Sequence, residues 1–156
     1  MATVSAARAS STLPVFKAGA GVMCVAQGTY EHASNLAAAT IIEYCRIPAG
    51  AVVVGGWWGG DDLDTNGTEE LNITIGWAAN GIEVADPDGF GDLGVMTGDV
   101  SVHLGAAGFW FPLQGTMLTL GPQTFSAETV MTATIVTDAA TGGTGTTSMV
   151  VYYYVP

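Results

Sequence analysis

The stretch from Leu71 to Trp77, Leu-Asn-Ile-Thr-Ile-Gly-Trp, gives the clearest indication of the fold class. Large apolar residues occupy every odd position, and the even positions hold asparagine, threonine and glycine. An extended strand points successive side chains to opposite faces, so a period of two is typical of a strand with one buried face. We therefore predict a half-buried β-strand over this stretch.

Similar short apolar runs lie on both sides of this strand. They are Val22 to Glu31, Ala37 to Ile47, Ala51 to Trp58, Gly98 to Leu104, Phe109 to Phe111, Thr116 to Leu120, Glu128 to Thr137 and Ser148 to Val155. The 22 glycines and 6 prolines interrupt helical periodicity throughout the sequence. About eight short strands with frequent turns predict an all-β fold. We expect a single-domain β-sandwich or jelly roll of about eight antiparallel strands.

The charge balance is strongly acidic, with 14 Asp and Glu, 3 Lys and Arg and a formal net charge of −11. Nucleic-acid binding requires clustered cations that neutralise phosphates, so this composition argues against a nucleic-acid partner. The longest stretch free of Asp, Glu, Lys and Arg, Val100 to Ala127, contains prolines and glycines that do not fit a membrane-spanning helix. We therefore expect neither nucleic acid nor a membrane as partner.

Two of the three cations lie in an N-terminal segment that shows no alternation. Residues 1 to about 19 are small or polar, and we predict that they form an extended arm before a β-sandwich body over residues 20–156. A cationic arm on an acidic body suggests a docking segment. Its candidate docking residues are Arg8, Pro14, Phe16 and Lys17.

Several turn and strand motifs follow one another in an order that resembles a known family. The motifs are Arg46-Ile-Pro-Ala-Gly-Ala-Val52, Asp61-Asp-Leu-Asp-Thr-Asn-Gly67, Leu71 to Gly76, Asp86-Pro-Asp88 with Phe90 close behind, and the tyrosine-rich end from Met149 to Pro156. From about residue 20 onward, the chain is similar to small virion structural proteins of tailed bacteriophages, of the capsid decoration or cement type.

The resemblance implies a protein made in the host cytoplasm that binds the outer capsid surface of the virion. There it would stabilise the shell by bridging capsid subunits. Its implied partners are the major capsid protein and further copies of itself, as a homotrimer. Two alternatives stay open at this point. One is a virion fibre or a receptor- or carbohydrate-binding β module, and the other is a head–tail or tail structural component.

The acidic turn before Leu71 carries oxygen ligands at a calcium-like spacing. Asp62, Asp64, Asn66 and Gly67 match positions 1, 3, 5 and 6 of a calcium-loop template. Position 12 of that template would be Ile73, which offers no oxygen ligand. An acidic turn with Asn66 and Gly67 at its corner explains the same residues. Calcium is therefore a candidate cofactor on a half-matched pattern, and no other cofactor is predicted.

Cys24 and Cys45 are the only cysteines of the chain. If the first two runs form a hairpin that turns at Ser34 and Asn35, the two thiols lie opposite each other on neighbouring strands. Directly opposed positions strain a disulfide, and the resemblance implies assembly in a reducing cytosol. We predict two adjacent, buried free thiols rather than a disulfide.

Consecutive aromatic residues mark a candidate interface with another copy or a partner. Trp57 and Trp58 are adjacent in a predicted strand and must point to opposite faces. The run Tyr152, Tyr153 and Tyr154 likewise cannot be buried on one side. Aromatic residues are enriched at interface centres, so the outward members are candidate contact residues. In the carbohydrate-binding alternative, an exposed Trp58 or Tyr153 would stack on a sugar ring.

Catalysis has no positive support in the sequence. Asp99, Ser101 and His103 have the residue types of a hydrolytic triad. Alternate residues on one face of a strand stand about 7 Å apart, however, which is beyond hydrogen-bonding reach. We predict that the protein is not an enzyme and has no catalytic residues.

Overall fold

A computed structural model of the chain describes residues 2–6, 9, 10, 21–95 and 109–156. Within these ranges the chain forms ten β-strands and one short helix. In chain order they are β1 (Thr3–Ser5), β2 (Cys24–His32), β3 (Ile41–Ile47), β4 (Ala51–Gly60), β5 (Asn72–Trp77), β6 (Asp86–Val95), β7 (Phe109–Pro112), α1 (Met117–Leu120), β8 (Gln123–Phe125), β9 (Thr129–Thr137) and β10 (Gly145–Tyr154). No helix in the described ranges has the length and apolar character needed to cross a bilayer.

The described strands form two sheets that enclose one core. Sheet A has the order β1-β3-β9-β5-β6, and sheet B has the order β2-β10-β4-β7, with β8 also paired to β4. The short β1 runs parallel to β3, and the other pairings are antiparallel. Buried side chains from both sheets form a single cluster. The predicted all-β, single-domain fold is confirmed, with ten described strands instead of about eight.

The strand predicted over Leu71 to Trp77 corresponds to β5 and has the predicted buried face. Leu71 precedes β5, and it is buried together with Ile73, Ile75 and Trp77. β5 lies between β9 and β6 in sheet A, and Thr74 on its opposite face is flanked by residues of both neighbours. Thr74 is consequently buried as well. The alternation identified the core face, whereas the neighbours on both sides determine how much of the other face is covered.

The predicted hairpin between the first two runs is wrong. β2 pairs with β10 in sheet B, and β3 pairs with β9 in sheet A, so residues 33–40 connect the two sheets. At Gly28 of β2 an added Cβ would lie 1.9 Å from the backbone oxygen of Tyr44 in β3. Glycine therefore allows the two backbones to approach closely across the sandwich. β2 therefore pairs with the distant β10, and not with the neighbouring β3 as the sequence suggested.

The Asp86-Pro-Asp88 motif lies in a strand and does not form a turn. These residues begin β6, an edge strand, where Pro87 costs no central ladder hydrogen bond. An added Cβ at Gly89 would lie 2.2 Å from the ring of Trp77, so glycine makes room for the indole. The apolar run at 116–120 is one of those that resemble strands, but Met117–Leu120 form the short helix α1.

The start of the chain contributes to sheet A. Thr3, Val4 and Ser5 form β1 beside β3, and Ala6 and Ala9 are buried. The division into an arm over 1–19 and a body over 20–156 stays a prediction. The candidate docking residues Arg8, Pro14, Phe16 and Lys17 lie outside the described residues, as do Asp99, Ser101 and His103.

Candidate functional site

The acidic loop between β4 and β5 is organised around one buried carboxylate. Asp64 is only 2 % exposed, and both of its carboxylate oxygens accept hydrogen bonds from the backbone. The donors are the N–H groups of Asn66, Glu70, Leu71, Ala140 and Thr141, at distances of 2.8 to 3.3 Å. Burial by itself raises the pKa of Asp64, but these donors outweigh it and hold the pKa below its ordinary value. Asp64 thus ties its own loop to the connection between β9 and β10.

The alternate spacing that resembled a calcium loop has a structural explanation. The side-chain oxygens of Asp62, Asp64 and Asn66 each accept the backbone N–H two residues further on, at 3.1 to 3.3 Å. Such side-chain turns are the usual role of Asp and Asn in loops. Among the described residues, no group of three or more His, Cys, Asp or Glu is arranged to hold a metal ion. The oxygens of the candidate ligands accept hydrogen bonds from backbone N–H groups of this loop and, for Asp64, also of the connection between β9 and β10.

A second buried polar group connects the two sheets. The hydroxyl of Thr147 in β10 lies 2.8 Å from Nε2 of His32 in β2 and 2.6 Å from the hydroxyl of Tyr44 in β3. Burial lowers the pKa of His32 to about 4, although the charge of Glu31 opposes that shift. Burial also raises the pKa of Tyr44, while its hydrogen bonds lower it. Both side chains are neutral at pH 7 and contribute to the architecture of the core.

Cys24 and Cys45 are both buried, free thiols. Because they belong to β2 and β3, they come from different sheets and not from two strands of one hairpin. The Cys24 thiol donates to the backbone oxygen of Val22 at 3.3 Å, and burial raises the pKa of Cys45 to about 12. Burial, followed by the proximity of both thiols, raises the pKa of Tyr153 to about 12. Cys24 is opposite Tyr153 in sheet B, and both thiols belong to the same buried cluster as that tyrosine.

The consecutive aromatic residues divide between the core and the outer face of sheet B. Trp58 stacks on Phe111 with ring centroids 6.5 Å apart, and Tyr153 is also buried. The carbohydrate-binding alternative predicts an exposed Trp58 or Tyr153. That prediction is wrong, because both side chains are buried. Trp57 and Tyr154 are half-buried, and Tyr152 is 38 % exposed.

Further residues join Trp57 and Tyr152 on the outer face of sheet B. Directly opposed residues of an antiparallel pair share a face, so the strand register defines this surface. Tyr152 is opposite Val25, Trp57 is opposite Val150 and Pro112, and Trp110 is opposite Gly59. We call the surface formed by Val25, Val54, Trp57, Trp110, Pro112, Val150 and Tyr152 the apolar face of sheet B.

Most of this surface could not be found from the sequence. Val25, Val54, Trp110 and Tyr152 are all at least 38 % exposed. The alternation within each strand separates inward from outward residues, but it does not show which strands are neighbours. Only the pairing of β2, β10, β4 and β7 brings these side chains together.

A groove of about 320 Å³ adjoins the edge of the apolar face. It lies between β6, β7 and α1, and its wall includes Phe90, Leu93, Phe111 and Leu118, with Asp92 as the charged member. A mostly apolar groove with one carboxylate has no evident catalytic constellation. Its position extends the apolar surface of sheet B toward sheet A.

Comparison with known proteins identifies the fold. No protein-family model matches the sequence, and no curated protein matches it. A chain in the capsid of Ralstonia phage GP4 superposes with a TM-score of 0.76 at 18 % identity, covering 99 % of this chain and 99 % of that chain. A chain of the cyanophage Pam1 capsid gives a TM-score of 0.63 at 22 % identity, covering 96 % and 99 %.

A third structure extends the comparison. A chain of the acid-stable capsid of Helicobacter pylori bacteriophage KHP30 gives a TM-score of 0.61 at 14 % identity, covering 88 % of this chain and 90 % of that chain. At such identities the similarity shows the fold. The chain thus shares its fold, over nearly its whole length, with chains found in the capsids of three phages.

Proposed function

We propose that this protein is a structural subunit of a phage virion, and more specifically a capsid decoration (cement) protein. The observation that carries the proposal is the match to a chain of a phage capsid over 99 % of both chains. A match of nearly full length in both directions means that the two chains have about the same size. The similarity thus extends over nearly the whole of the chain in that capsid.

The strand order supports a jelly roll, a fold that recurs in viral capsid proteins. Strands β2 to β5 alternate between sheet B and sheet A, and the last strand, β10, returns beside β2. The polar groups of the described loops have structural roles. The buried carboxylate of Asp64 is occupied by backbone donors, which suits a role in stabilising a loop. We therefore propose a non-catalytic role.

The proposed partners are the major capsid protein and further copies of this chain, on the outer surface of the shell. A subunit that contacts two neighbouring shell proteins stabilises their junction, because the second contact forms at a high effective concentration. The cationic segment around Arg8 and Lys17 would supply one contact and the body another. The proposed homotrimer would multiply these contacts.

Electron cryomicroscopy of reconstituted capsids tests this proposal. Capsids of the encoding phage are assembled without this subunit and then incubated with the purified full-length protein. We expect added density on the outer surface, at junctions between shell subunits, and a higher temperature of capsid disruption. Absence of density on the shell of the intact virion, or density only on tail or fibres, would contradict the cement role. The second result would support the tail or fibre alternative.

The arm is tested by substitution and not by deletion. Removing residues 2–17 would also remove β1 and the buried Ala6 and Ala9. The double variant Arg8→Glu/Lys17→Glu keeps these residues. We expect it to fold as the wild type does and to occupy capsids less, most clearly at low salt where charge contacts are least screened. Unchanged occupancy would exclude the two cations from docking.

One observation favours a second candidate, the carbohydrate-binding module. Trp110 and Tyr152 are exposed aromatic side chains on one face of sheet B, and such rings can stack on sugars. A glycan array with the wild type and Trp110→Ala separates the candidates. Glycan binding that Trp110→Ala abolishes would favour the carbohydrate module, whereas an absence of glycan binding together with capsid binding would favour the cement role.

A further inference from the structure

The apolar face of sheet B is almost free of charge, although the protein is strongly acidic. The chain has 14 Asp and Glu residues. Among the described residues, the outward positions of β2, β10, β4 and β7 hold one carboxylate, Glu31, at the end of β2. Exposed Val25, Trp110 and Tyr152 occupy the same surface. Polar side chains, those of Gln27, Thr29, Thr146 and Ser148, share the outward face and lie toward the end that carries Glu31, whereas Val25, Tyr152, Val150 and Trp57 adjoin one another through the strand register. An exposed apolar patch on a small protein commonly marks an interaction site.

The outer face of sheet A lacks this character. Its outward positions combine the apolar residues Ile41, Val130 and Val136 with hydroxyl and charged groups, including Ser5, Glu43, Thr134 and Asp92. The Ser5 hydroxyl donates to Glu43 at 2.7 Å. Since the two outer faces belong to one domain, the apolar surface is not a general property of this composition. It is confined to one side of the sandwich.

The carboxylates around the apolar face decide which partner it fits. Glu31 and Asp61 lie at one end, where the side chain of Thr146 donates to Glu31 and its backbone N–H donates to Asp61. Asp92 shares the adjoining groove with Phe111 and Pro112. Arg46 is the one cation in the part of the chain that the structure describes, and it pairs with Glu128 at 2.9 Å on the opposite sheet. Among the described residues, Glu31 and Asp61 therefore make one end of the apolar face negative.

We infer that the apolar face of sheet B docks on a different protein whose contact surface is apolar at its centre and carries Lys or Arg at its border. Two copies of this chain placed face to face would bring carboxylates against carboxylates, which disfavours that pairing. A cationic border would attract the acidic end and orient the contact, while the apolar centre supplies most of the affinity. On the proposed function, on which this inference rests, the partner belongs to the capsid shell.

Two matched variants test the inference. Val25 is 53 % exposed on sheet B, and Val136 is 46 % exposed on an outward position of sheet A. Val25→Asp places a charge within the apolar face, and Val136→Asp places the same charge on the other side. Binding of each full-length variant is measured on capsids of the encoding phage assembled without this subunit, at low and at high salt. Circular dichroism and thermal unfolding verify that both variants fold.

We expect Val25→Asp to weaken capsid binding by about tenfold or more, and Val136→Asp by about twofold or less. We also expect wild-type binding to weaken as salt increases, because the border charges become screened. Equal binding of the two variants, or an affinity independent of salt, would overturn the inference while the cement role stands. A wild type that fails to bind capsids would refute the proposed function itself.

Analytical ultracentrifugation addresses the second copy as the occupant. We expect Val25→Asp to leave the oligomeric state of the free protein unchanged. If the wild type self-associates and Val25→Asp alone abolishes this association, the apolar face joins copies of this chain, and its assignment to a different protein is wrong.

Discussion

The two ends of the core are held together by different kinds of interaction. At one end Trp77 lies between Phe90 and Phe125, with ring centroids 5.0 and 5.1 Å away, in edge-to-face contacts. We call this the aromatic end. At the other end Asp64 and the group of His32 and Thr147 supply hydrogen bonds to loop backbone and between sheets. We call this the polar end.

The difference shows where the stability of this sandwich depends on solution conditions. Edge-to-face aromatic contacts and apolar burial do not change with protonation. A buried carboxylate or imidazole couples folding to pH, because its pKa differs between the folded and unfolded chain. The polar end also fixes two irregular loops, the connections before β5 and after β9, that apolar packing alone would leave with unpaired backbone groups. Variants at the two ends should therefore differ in both size and pH dependence.

The largest effect is expected for Asp64→Ala. It removes the acceptor of five described backbone donors, two of which, Ala140 and Thr141, belong to the connection after β9. Buried donors left without an acceptor cost roughly 1 to 3 kcal/mol each, and water can reach some of them. We expect the free energy of unfolding in urea to fall by about 3 to 5 kcal/mol.

Asp62→Ala is the matched control in the same loop. Asp62 is exposed, and it accepts the backbone N–H of Asp64 at 3.1 Å. We expect a loss of about 1 kcal/mol or less. Similar losses for the two variants would show that the loop is stabilised by something other than the buried carboxylate.

The next effect is a loss of stability with falling pH that originates at His32. Its pKa is lowered from 6.5 to about 4 in the folded protein. Between these values the unfolded chain binds a proton that the folded chain does not, so unfolding becomes easier as the pH falls from about 6.5 to about 4. This loss is absent above pH 6.5 and complete below about pH 4, and we expect it to amount to about 2 kcal/mol, since solvent screens part of the full effect of the pKa shift.

His32→Gln isolates that contribution from the carboxylates, which titrate in a neighbouring range. The free energy of unfolding is measured in urea at pH 7.5 and at pH 4.5 for the wild type and the variant. We expect the variant to be less stable at pH 7.5 and to lose less stability on acidification. An identical pH dependence of the two proteins would refute the role of His32.

A smaller effect is expected at the aromatic end. Phe125 is fully buried, and its ring lies 5.1 Å from that of Trp77 and 6.5 Å from that of Phe90. Phe125→Leu keeps an apolar side chain but loses the edge-to-face contacts, so we expect a loss of about 1 to 2 kcal/mol. The loss should be equal at pH 7.5 and pH 4.5. A loss that depends on pH would mean that the two ends of the core are coupled.

The sequence predicted what depends on local pattern. The alternation of Leu71 to Trp77 identified the buried face of β5, and the runs at 51–58 and 128–137 correspond to β4 and β9. Alternation also showed that Trp57 and Trp58 cannot share one face. These inferences depend only on residues adjacent in the chain, and period-two patterns report them reliably.

Pairing between distant strands could not be predicted in the same way. The run at 22–31 pairs with β10, more than a hundred residues away, as the contact of His32 with Thr147 shows. No feature near Asn35 distinguishes a hairpin turn from a connection between sheets. The apolar face of sheet B and the donors to Asp64 both depend on such long-range pairing. For this reason the sequence predicts the fold class of this protein better than it predicts the candidate site.

The smallest effect, and the last prediction, concerns the thiols beside the aromatic end. In sheet A, Met131 is paired with both Cys45 and Trp77, and Cys45 is buried with a pKa of about 12. The thiolate is the reactive form of cysteine, so Cys45 should not react with a thiol reagent at pH 8 unless the protein unfolds.

Because Cys24 and Cys45 are free thiols, a reductant should leave the urea midpoint unchanged. A disulfide would instead contribute about 2 to 4 kcal/mol, and its reduction would lower the midpoint measurably. Urea unfolding with and without reductant, combined with thiol counting in the native and unfolded states, decides between these outcomes. Two thiols that react only after unfolding would show that this part of the core has no disulfide and is closed to solvent in the folded state, in contrast to the pH-dependent polar end.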